Sequence, residues 1–397
     1  MGRRYRRKQR KERNVSEYGK NASHESIEFI RWLHNLGWNP NTNLRLSFFS
    51  STGRGLMALS PIESNSLIIR VPYEFVITRS KAQCQTNDTR TTHDVLAQFL
   101  TQESALREAS KWFFYIKSLP SSYDVPFFIP EDEALNALPS FWREPVLEQK
   151  ERLKNSLTNA WAYFTVNTRA VYHSDGGMAL IPFLDMFNHS PHVSVSINEA
   201  RDGSFEIISG PHCVRKFDQV FINYGPHSNI KLFLEYGFWI ANNPHDAIPI
   251  TLSELTSVLL EGKGMSTLRN NDSKKLTLLK DNKIDQNMCL AITSSKIHET
   301  KEESASLASP SWNIYACFDI LKRDDASSLV YSQIYRDNLE MDNRDLVISL
   351  MKNKLRELKA SANALKNSFN HIRSCCMASE LLFTYVCAIE SALALFK

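Results

Sequence analysis

The spacing of hydrophobic residues predicts a β-rich first part of the chain that a helical stretch interrupts. Near the start, apolar residues at helical intervals predict an amphipathic helix over residues 25–36, which Gly37 ends. Short apolar runs then predict strands at residues 44–47, 66–71, 75–78, 193–197, 205–209 and 219–222. The dipeptide Asp202-Gly203 predicts a hairpin turn, and Gly53-Arg54-Gly55 is predicted to lie on a loop between strands.

Helical periodicity dominates two other regions. It predicts helices over residues 93–100 and 147–157, within an insertion of about residues 92–165. After about residue 250 the pattern is helical to the end, and it includes a last helix over about residues 374–395. Residues 263–311 are polar and rich in Ser, Asn and Lys, which predicts loops or a flexible linker.

These patterns together predict an α+β fold in three parts. Residues 1–24 form a disordered tail, residues 25–250 form a β-rich domain with the helical insertion at about 92–165, and residues 251–397 form an all-α domain. A chain of 397 residues with 43% hydrophobic residues is long and apolar enough for two domains with real cores.

The net charge of +4 is unevenly distributed. Residues 1–13 hold eight Lys or Arg and one Glu, so the rest of the chain is mildly acidic. A dense basic run repels itself and is typical of disorder. Its functional interpretation is nuclear import or contact with nucleic acid, and the alternative is a solvated arm without a specific partner. We expect the protein in the nucleus and the cytoplasm.

Cysteine and apolar patterns narrow the class further. The seven cysteines form no CxxC pair and no Cys/His group with zinc spacing, so we expect no metal site and free thiols in a reducing compartment. The longest apolar stretch, residues 381–396, is too short to span a bilayer and contains Glu390. It predicts a buried helix and no membrane association.

Three short segments carry the candidate chemistry. They are Gly53-Arg54-Gly55-Leu56, Asp185-Met186-Phe187-Asn188-His189-Ser190 and Asn223-Tyr224-Gly225-Pro226. Glycine backbone can approach a ligand closely because it has no Cβ, and a tyrosine hydroxyl can both donate and accept. Each segment alone is also typical of an ordinary turn, a polar loop or an interior tyrosine, so the information lies in their combination and order.

In this order the segments resemble the signature of SET-domain methyltransferases. The continuations His227-Ser228-Asn229 and Glu235-Tyr236-Gly237-Phe238 are similar to the class related to the Rubisco large-subunit methyltransferase. The resemblance implies S-adenosylmethionine (SAM) as methyl donor and a protein lysine as acceptor, on a histone or a non-histone protein. It also implies that residues 25–250 form the SET domain and that residues 251–397 bind the protein substrate.

The resemblance also assigns roles to residues. It implies that Gly53-Arg54-Gly55 contacts the methionyl part of SAM and that Asn188 and His189 hold its amino group and adenine. Tyr224 becomes the catalytic residue beside the transferred methyl group and part of the cofactor site. Lysine is protonated in water, with a pKa of about 10.4. The site must therefore favour the neutral amine, through desolvation and the positive sulfonium.

By resemblance, three further residues match positions in the family's substrate site. Arg169 would grip the SAM carboxylate or brace the pocket, and its alternative is a surface salt bridge. Asp185 would line the amine pocket or hold neighbouring loops, and its alternative is a helix cap. Tyr236 would form a second wall of the lysine channel, with core packing as the alternative. Leu184 stands where the actin-histidine methyltransferase class carries Trp, which favours lysine.

Two other functions remain open at this point. The insertion is shorter between Lys154 and Trp161 than the family pattern leads us to expect. That departure favours a SET-fold interaction module without catalysis, whereas the intact segments around Asn188 and Tyr224 argue against it. The second alternative is a protein-histidine methyltransferase.

Overall fold

The computed structural model describes residues 23–40, 43–82, 90–154, 156, 158–263, 272–294, 306–323 and 339–396. Almost all of the predicted basic tail and parts of the polar stretch 263–311 lie outside these residues. The chain forms two compact units. Unit 1 contains the described residues up to Tyr123 together with Arg152–Pro226, and unit 2 contains Asp124–Glu151 and the described residues from His227 onward.

The described helices and strands are numbered in chain order. The helices are α1 (His24–Asn35), α2 (Arg79–Ala82), α3 (Thr92–Leu106), α4 (Phe113–Ser118), α5 (Asp132–Asn136), α6 (Ser140–Lys154), α7 (Ala160–Arg169), α8 (Asn229–Lys231), α9 (Leu252–Lys263), α10 (Asp272–Asp281), α11 (Trp312–Lys322), α12 (Leu339–Asp342), α13 (Arg344–Ser368) and α14 (Arg373–Leu395). The strands are β1 (Leu44–Phe49), β2 (Gly53–Ala58), β3 (Leu67–Val71), β4 (Asn188–His189), β5 (Ser196–Glu199), β6 (Phe205–Ile208), β7 (Gln219–Ile222), β8 (Ala247–Pro249), β9 (Cys289–Ser294) and β10 (Ser306–Pro310).

Two sheets form the framework of unit 1. One has the strand order β1-β2-β7-β4 and the other has the order β3-β6-β5. In the first sheet β2 pairs antiparallel with both β1 and β7, while β4 runs parallel to β7. This order places the segments around Gly53, Asn188 and Tyr224 side by side, although they lie far apart in the sequence.

Local sequence signals explain much of unit 1. Helix α1 begins with the Ser23 side chain accepting a hydrogen bond from the Ser26 N–H, and it is followed by Gly37 at φ +86°. Its apolar face is buried in the core of the unit through Phe29 and Leu33. The predicted hairpin is confirmed, because β5 and β6 pair antiparallel around Gly203 at φ +78°.

Two local predictions in unit 1 are wrong. Gly53-Arg54-Gly55 does not lie on a loop, because it forms the first half of β2 and Gly53 pairs with Phe49 across a tight turn. Residues 75–78 are not a strand. Phe75 ends a short 3₁₀ turn over Tyr73–Phe75, and Ile77 makes a single bridge to Leu180. Pro72 precedes this turn and lacks the N–H that would extend the ladder.

The helical insertion is divided between the two units. Helices α3 and α4 belong to unit 1, whereas α5 and the part of α6 up to Glu151 belong to unit 2. Trp142 on α6 shows why, since its fully buried ring packs against Phe233 with centroids 4.8 Å apart. The compact units therefore do not follow the predicted domain boundary near residue 250.

Unit 2 is mainly helical but also contains a sheet that the sequence did not predict. Strand β9 lies between β8 and β10 and pairs antiparallel with both. Helix α14 is long and apolar enough to cross a membrane by length and composition alone. Leu381, Leu382 and Tyr385 on this helix are wholly buried in the core of unit 2, as predicted for a buried helix. The α+β class is confirmed.

Candidate functional site in unit 1

Strand pairing connects the glycine-rich segment to the Asn188 segment. The Asn188 amide donates from Nδ2 to the Arg54 carbonyl at 2.9 Å and to the Thr52 carbonyl at 3.4 Å. Gly55 lies next to the Asn188 amide. A Cβ added to Gly55 would lie 2.8 Å from Asn188 Nδ2 and would also overlap the Gln219 amide. A side chain at position 55 would therefore displace the Asn188 and Gln219 amides from their places beside β2.

Tyr224 is held at both ends by the Asn188 segment. Its backbone N–H donates to His189 Nδ1 at 3.1 Å, and its hydroxyl donates to the Phe187 carbonyl at 2.6 Å. The rings of His189 and Tyr224 stack with centroids 5.0 Å apart and an interplanar angle of 20°. Because Nδ1 of His189 accepts a hydrogen bond, the imidazole carries its proton on Nε2. Gly225 at φ +124° then turns the chain away.

Asp185 lies at the centre of a buried polar cluster. The Tyr115 hydroxyl on α4 donates to Asp185 Oδ2 at 3.0 Å. Arg169, at the end of α7, donates from Nη1 to the Asp185 carbonyl at 2.7 Å and lies 3.4 Å from Oδ2. The side chain of Asp185 is 0% exposed and that of Arg169 is 15% exposed. Their ion pair is therefore not a surface salt bridge.

The backbone that carries Asp185 is unusual. Asp185 lies in a 3₁₀ turn over Leu184–Met186, and the preceding Phe183 has φ +76° and ψ −42° although its side chain is buried. Such a conformation is costly for a bulky residue and persists only where the surrounding packing enforces it. The turn directs the Asp185 carboxyl group toward α4 and α7 while the next residues enter β4.

Arg54 brings a second guanidinium to the cluster. Its Nη1 donates to the Ser118 carbonyl at the end of α4. Burial, together with the nearby positive charge of Arg169, lowers the pKa of Arg54 to about 10. Arg54 therefore stays charged at neutral pH.

The pKa values of the other members are shifted as well. Burial raises the pKa of Asp185 above its ordinary value despite the two guanidinium groups. Burial and the Asp185 carboxyl group raise the pKa of Tyr115 well above its ordinary value. For Arg169, burial lowers the pKa, but Tyr123 and Asp185 outweigh it, so the net shift is upward. Two guanidinium groups and one carboxyl group leave the cluster positive in either state of Asp185.

Several buried polar atoms of this region have no hydrogen-bond partner among the described residues. They include Asp185 Oδ1, Arg169 Nε and Gln219 Nε2. Buried polar groups are normally paired, so such atoms are where a polar ligand gains most. No group of three His, Cys, Asp or Glu side chains in the described part of the chain is placed to hold a metal ion.

Tyr236 belongs to unit 2. It ends a π-helical turn over Leu232–Tyr236, which Gly237 terminates at φ +76°. Its ring lies 5.8 Å from that of His227 and 6.1 Å from that of Phe238, and burial raises its pKa. Its predicted role in the lysine channel stays a prediction.

Sequence reasoning missed two polar residues of this region, Tyr115 and Gln219. Tyr115 lies in an aromatic stretch of the insertion, and nothing local to it indicated a bond to a carboxyl group 70 residues away. Gln219 was seen only as the first residue of a strand, although a polar side chain there was a weak signal. Its Oε1 accepts from the Thr52 hydroxyl at 2.8 Å.

Comparison with known proteins assigns the chain to a family. The family model of the SET domain matches residues 53–225. The chain is 31% identical to SET domain-containing protein 4 of Mus musculus, over 72% of this chain and 74% of the mouse protein. The chain therefore belongs to the SET-domain family of SAM-dependent methyltransferases. Within that family it is similar to SET domain-containing protein 4.

Other relatives differ in the acceptor that their names give. Ribosomal lysine N-methyltransferase set11 of Schizosaccharomyces pombe is 27% identical, over 56% of this chain and 63% of that protein. Actin-histidine N-methyltransferase of Danio rerio is 28% identical, over 52% of this chain and 41% of that protein.

A solved structure shares the fold. The structure of Rubisco LSMT bound to AdoMet matches with a TM-score of 0.63 and 21% identity, and it covers 94% of this chain and 92% of that one.

Proposed function

We propose that this chain transfers a methyl group from SAM to the side-chain amine of a lysine in a protein substrate. The observation that carries the proposal is the joint placement of the glycine-rich start of β2, the Asn188 amide and the stacked His189–Tyr224 pair on adjacent strands. When bound, SAM supplies an electrophilic methyl group that an uncharged amine can take up.

The residues present suit SAM. Its carboxylate needs a cationic partner, and the Arg54–Arg169–Asp185 cluster is positive with Arg169 Nε left unpaired among the described residues. The amino-acid end of SAM also needs free space next to the protein backbone. A Cβ at Gly53 would meet nothing within 4 Å, so the start of β2 leaves room beside the chain. Arg169, Asn188 and the β2 backbone would therefore hold the cofactor.

Tyr224 is suited to orient the acceptor amine. Its hydroxyl proton is donated to the Phe187 carbonyl, so the oxygen can act toward an amine only as an acceptor. An accepting oxygen binds the N–H of the amine and directs the nitrogen lone pair away from itself. The net positive charge of the cluster also opposes a second cation, which favours the neutral form of the lysine amine.

Two observations support lysine as the acceptor. One relative is named a ribosomal lysine N-methyltransferase. In addition, Leu184 stands at the position where, by resemblance, the actin-histidine methyltransferase class carries Trp. Histidine is the second candidate acceptor, because a relative at 28% identity is named an actin-histidine N-methyltransferase. The basic tail is compatible with a histone as the acceptor protein, and a non-histone acceptor is equally compatible with the proposed site.

The test is transfer of a radiolabelled methyl group from SAM to histone octamers, ribosomes and a whole-cell extract, with the labelled residue identified by mass spectrometry. We expect Tyr224→Phe to lower the rate by about 100-fold, because an orienting hydroxyl is lost from the reacting amine. Tyr172→Phe is the matched control, since Tyr172 lies in the same unit and is 78% exposed.

Each outcome decides between the functions. Label on lysine that is lost in Tyr224→Phe but kept in Tyr172→Phe supports the proposal. Label on histidine alone would replace lysine with histidine as the acceptor. SAM binding without label on any protein would indicate a SET-fold interaction module.

A further inference from the structure

Helix α4 makes two contacts with the buried charged cluster of unit 1. The Tyr115 hydroxyl donates to Asp185 Oδ2 at 3.0 Å, and three residues later the Ser118 carbonyl accepts a hydrogen bond from Arg54. Residues three positions apart lie on the same face of a helix. One turn of α4 therefore holds both the carboxyl group of the cluster and one of its two guanidinium groups.

Packing fixes the Tyr115 ring itself. The ring is wholly buried, and its centroid lies 6.1 Å from that of Phe29 on α1 and 6.5 Å from that of Trp112. The Ser118 hydroxyl donates to the Tyr115 carbonyl at 2.7 Å, which satisfies a backbone acceptor near the end of this short helix. The Tyr115 hydroxyl is therefore a donor with a fixed position.

Asp185 transmits this constraint to Arg169. Its Oδ2 accepts the Tyr115 hydrogen bond and lies 3.4 Å from Arg169 Nη1, while its carbonyl accepts from the same Nη1 at 2.7 Å. The Asp185 side chain is fully buried, so loss of the Tyr115 hydroxyl leaves Oδ2 without a solvent donor to replace it. The orientation of the carboxyl group beside Arg169 thus depends on Tyr115.

Arg169 keeps one nitrogen for another partner. Its Nη1 binds Asp185, whereas its Nε is buried and has no hydrogen-bond partner among the described residues. A guanidinium group is planar and rigid, so the direction of the Nη1 bond also sets the direction of the Nε–H. The contacts with Asp185 therefore determine where the unused donor points.

We propose that Tyr115 is a positioning residue for the SAM carboxylate, acting through Asp185 and Arg169. The inference rests on the proposed function, in which Arg169 holds that carboxylate. It gives the helical insertion a part in cofactor binding, because α4 lies within the insertion. Tyr115 touches neither cofactor nor acceptor in this scheme.

The experiment measures the affinity of Tyr115→Phe for SAM and for decarboxylated SAM by isothermal titration calorimetry. The second ligand lacks only the carboxylate. We expect Tyr115→Phe to weaken SAM binding about tenfold, because a charge-assisted hydrogen bond loses its alignment. The affinity for decarboxylated SAM should stay at the wild-type value. A loss confined to the ligand with the carboxylate is what a positioning role requires.

Tyr163→Phe is the matched control. Tyr163 on α7 is 6% exposed, lies in the same unit and accepts a hydrogen bond from Arg152 on its hydroxyl. Both substitutions therefore remove one hydrogen-bonded hydroxyl from a buried tyrosine of unit 1. We expect Tyr163→Phe to bind both ligands as the wild type does. Urea unfolding of the two variants separates a loss of affinity from a loss of stability.

A double-mutant cycle with Arg169→Lys tests the route through the guanidinium group. If Tyr115 acts through Arg169, then Tyr115→Phe causes little further loss of SAM affinity once lysine is present. Asp185→Asn interrupts the same chain of contacts at its middle and should show the same carboxylate-selective loss, so it replaces Tyr115→Phe if that variant does not fold.

The outcomes separate this inference from the proposed function. Unchanged SAM affinity in Tyr115→Phe, equal weakening of both ligands, or full additivity in the cycle would overturn the positioning role. In each of these cases the wild type would still bind SAM and transfer its methyl group, so the proposed function would stand. Absence of SAM binding by the wild-type chain would overturn the proposed function and the inference with it.

Discussion

Each unit buries a carboxyl group within a polar cluster, but the two clusters are completed differently. Asp246 in unit 2 receives hydrogen bonds on both oxygens, from Asn229, Tyr385 and the Ala247 N–H. Asp185 in unit 1 uses Oδ2 only and leaves Oδ1 without a partner among the described residues.

Charge separates the clusters as well. Unit 1 places two guanidinium groups around Asp185, whereas the bonds that Asp246 receives come from neutral N–H and O–H donors. A closed network whose donors are all neutral specifies backbone positions and needs nothing more. An open, positive one retains unused hydrogen-bonding capacity that suits an anionic ligand. The comparison therefore distinguishes a structural polar cluster from a binding one.

The largest expected effect follows from removing the carboxyl group of unit 1. We predict that Asp185→Ala destabilises the protein by about 3–5 kcal/mol, because it leaves a buried guanidinium without its partner. Urea unfolding measures the change. Asp218→Ala is the control, since Asp218 pairs with an 86% exposed Arg215 and its loss should cost about 0–1 kcal/mol. A loss below that of the control would show that the cluster does not depend on Asp185.

The second prediction concerns the pH dependence of stability that a buried, unpaired histidine causes in a part of unit 1 where no ligand is proposed. His93 Nε2 on α3 is also unpaired among the described residues, and burial lowers the pKa of His93 from an ordinary 6.5 to about 4. A depressed pKa means that protons bind the unfolded chain more tightly. Stability is therefore complete above about pH 6.5 and falls as the pH falls toward 4.

Between pH 7 and pH 5 this linkage amounts to about 2 kcal/mol. His93→Asn, whose amide can keep the bond to the Tyr163 backbone, should remove that pH-dependent part of the unfolding free energy. His34→Asn, at an exposed position of α1, should leave it unchanged. Equal acid sensitivity in wild type and His93→Asn would contradict the prediction.

The smallest effect concerns ligand affinity. We predict that Arg169→Lys weakens SAM binding about tenfold, because lysine keeps the charge but loses the planar fork and its Nε donor. Isothermal titration calorimetry measures the affinity, and Arg215→Lys is the exposed control. Unchanged affinity in Arg169→Lys would mean that the unpaired Nε does not mark the carboxylate site, and the contrast between the two clusters would lose its functional meaning.

Elements with a strong local signal were predicted well. Strand β7 was predicted at its observed bounds, and α1 and α14 were predicted within about one residue at each end. Their apolar periodicity, the Gly37 stop and the Asp202-Gly203 turn all act within a few residues. The sheet β8-β9-β10 was missed because its short strands are stabilised by pairing across the unit and not by local preference.

The candidate site shows the same division. The sequence by itself determined the residue types that methyl transfer needs: the glycines of β2, the Asn188-His189 pair, Tyr224 and the charged Arg169 and Asp185. Only the tertiary structure decided that β2, β4 and β7 lie side by side, that Tyr115 reaches Asp185, and that Tyr385 reaches Asp246. Local patterns encode chemistry and periodicity, whereas the pairing of distant strands and helices depends on burial summed over a whole core, which no short segment specifies.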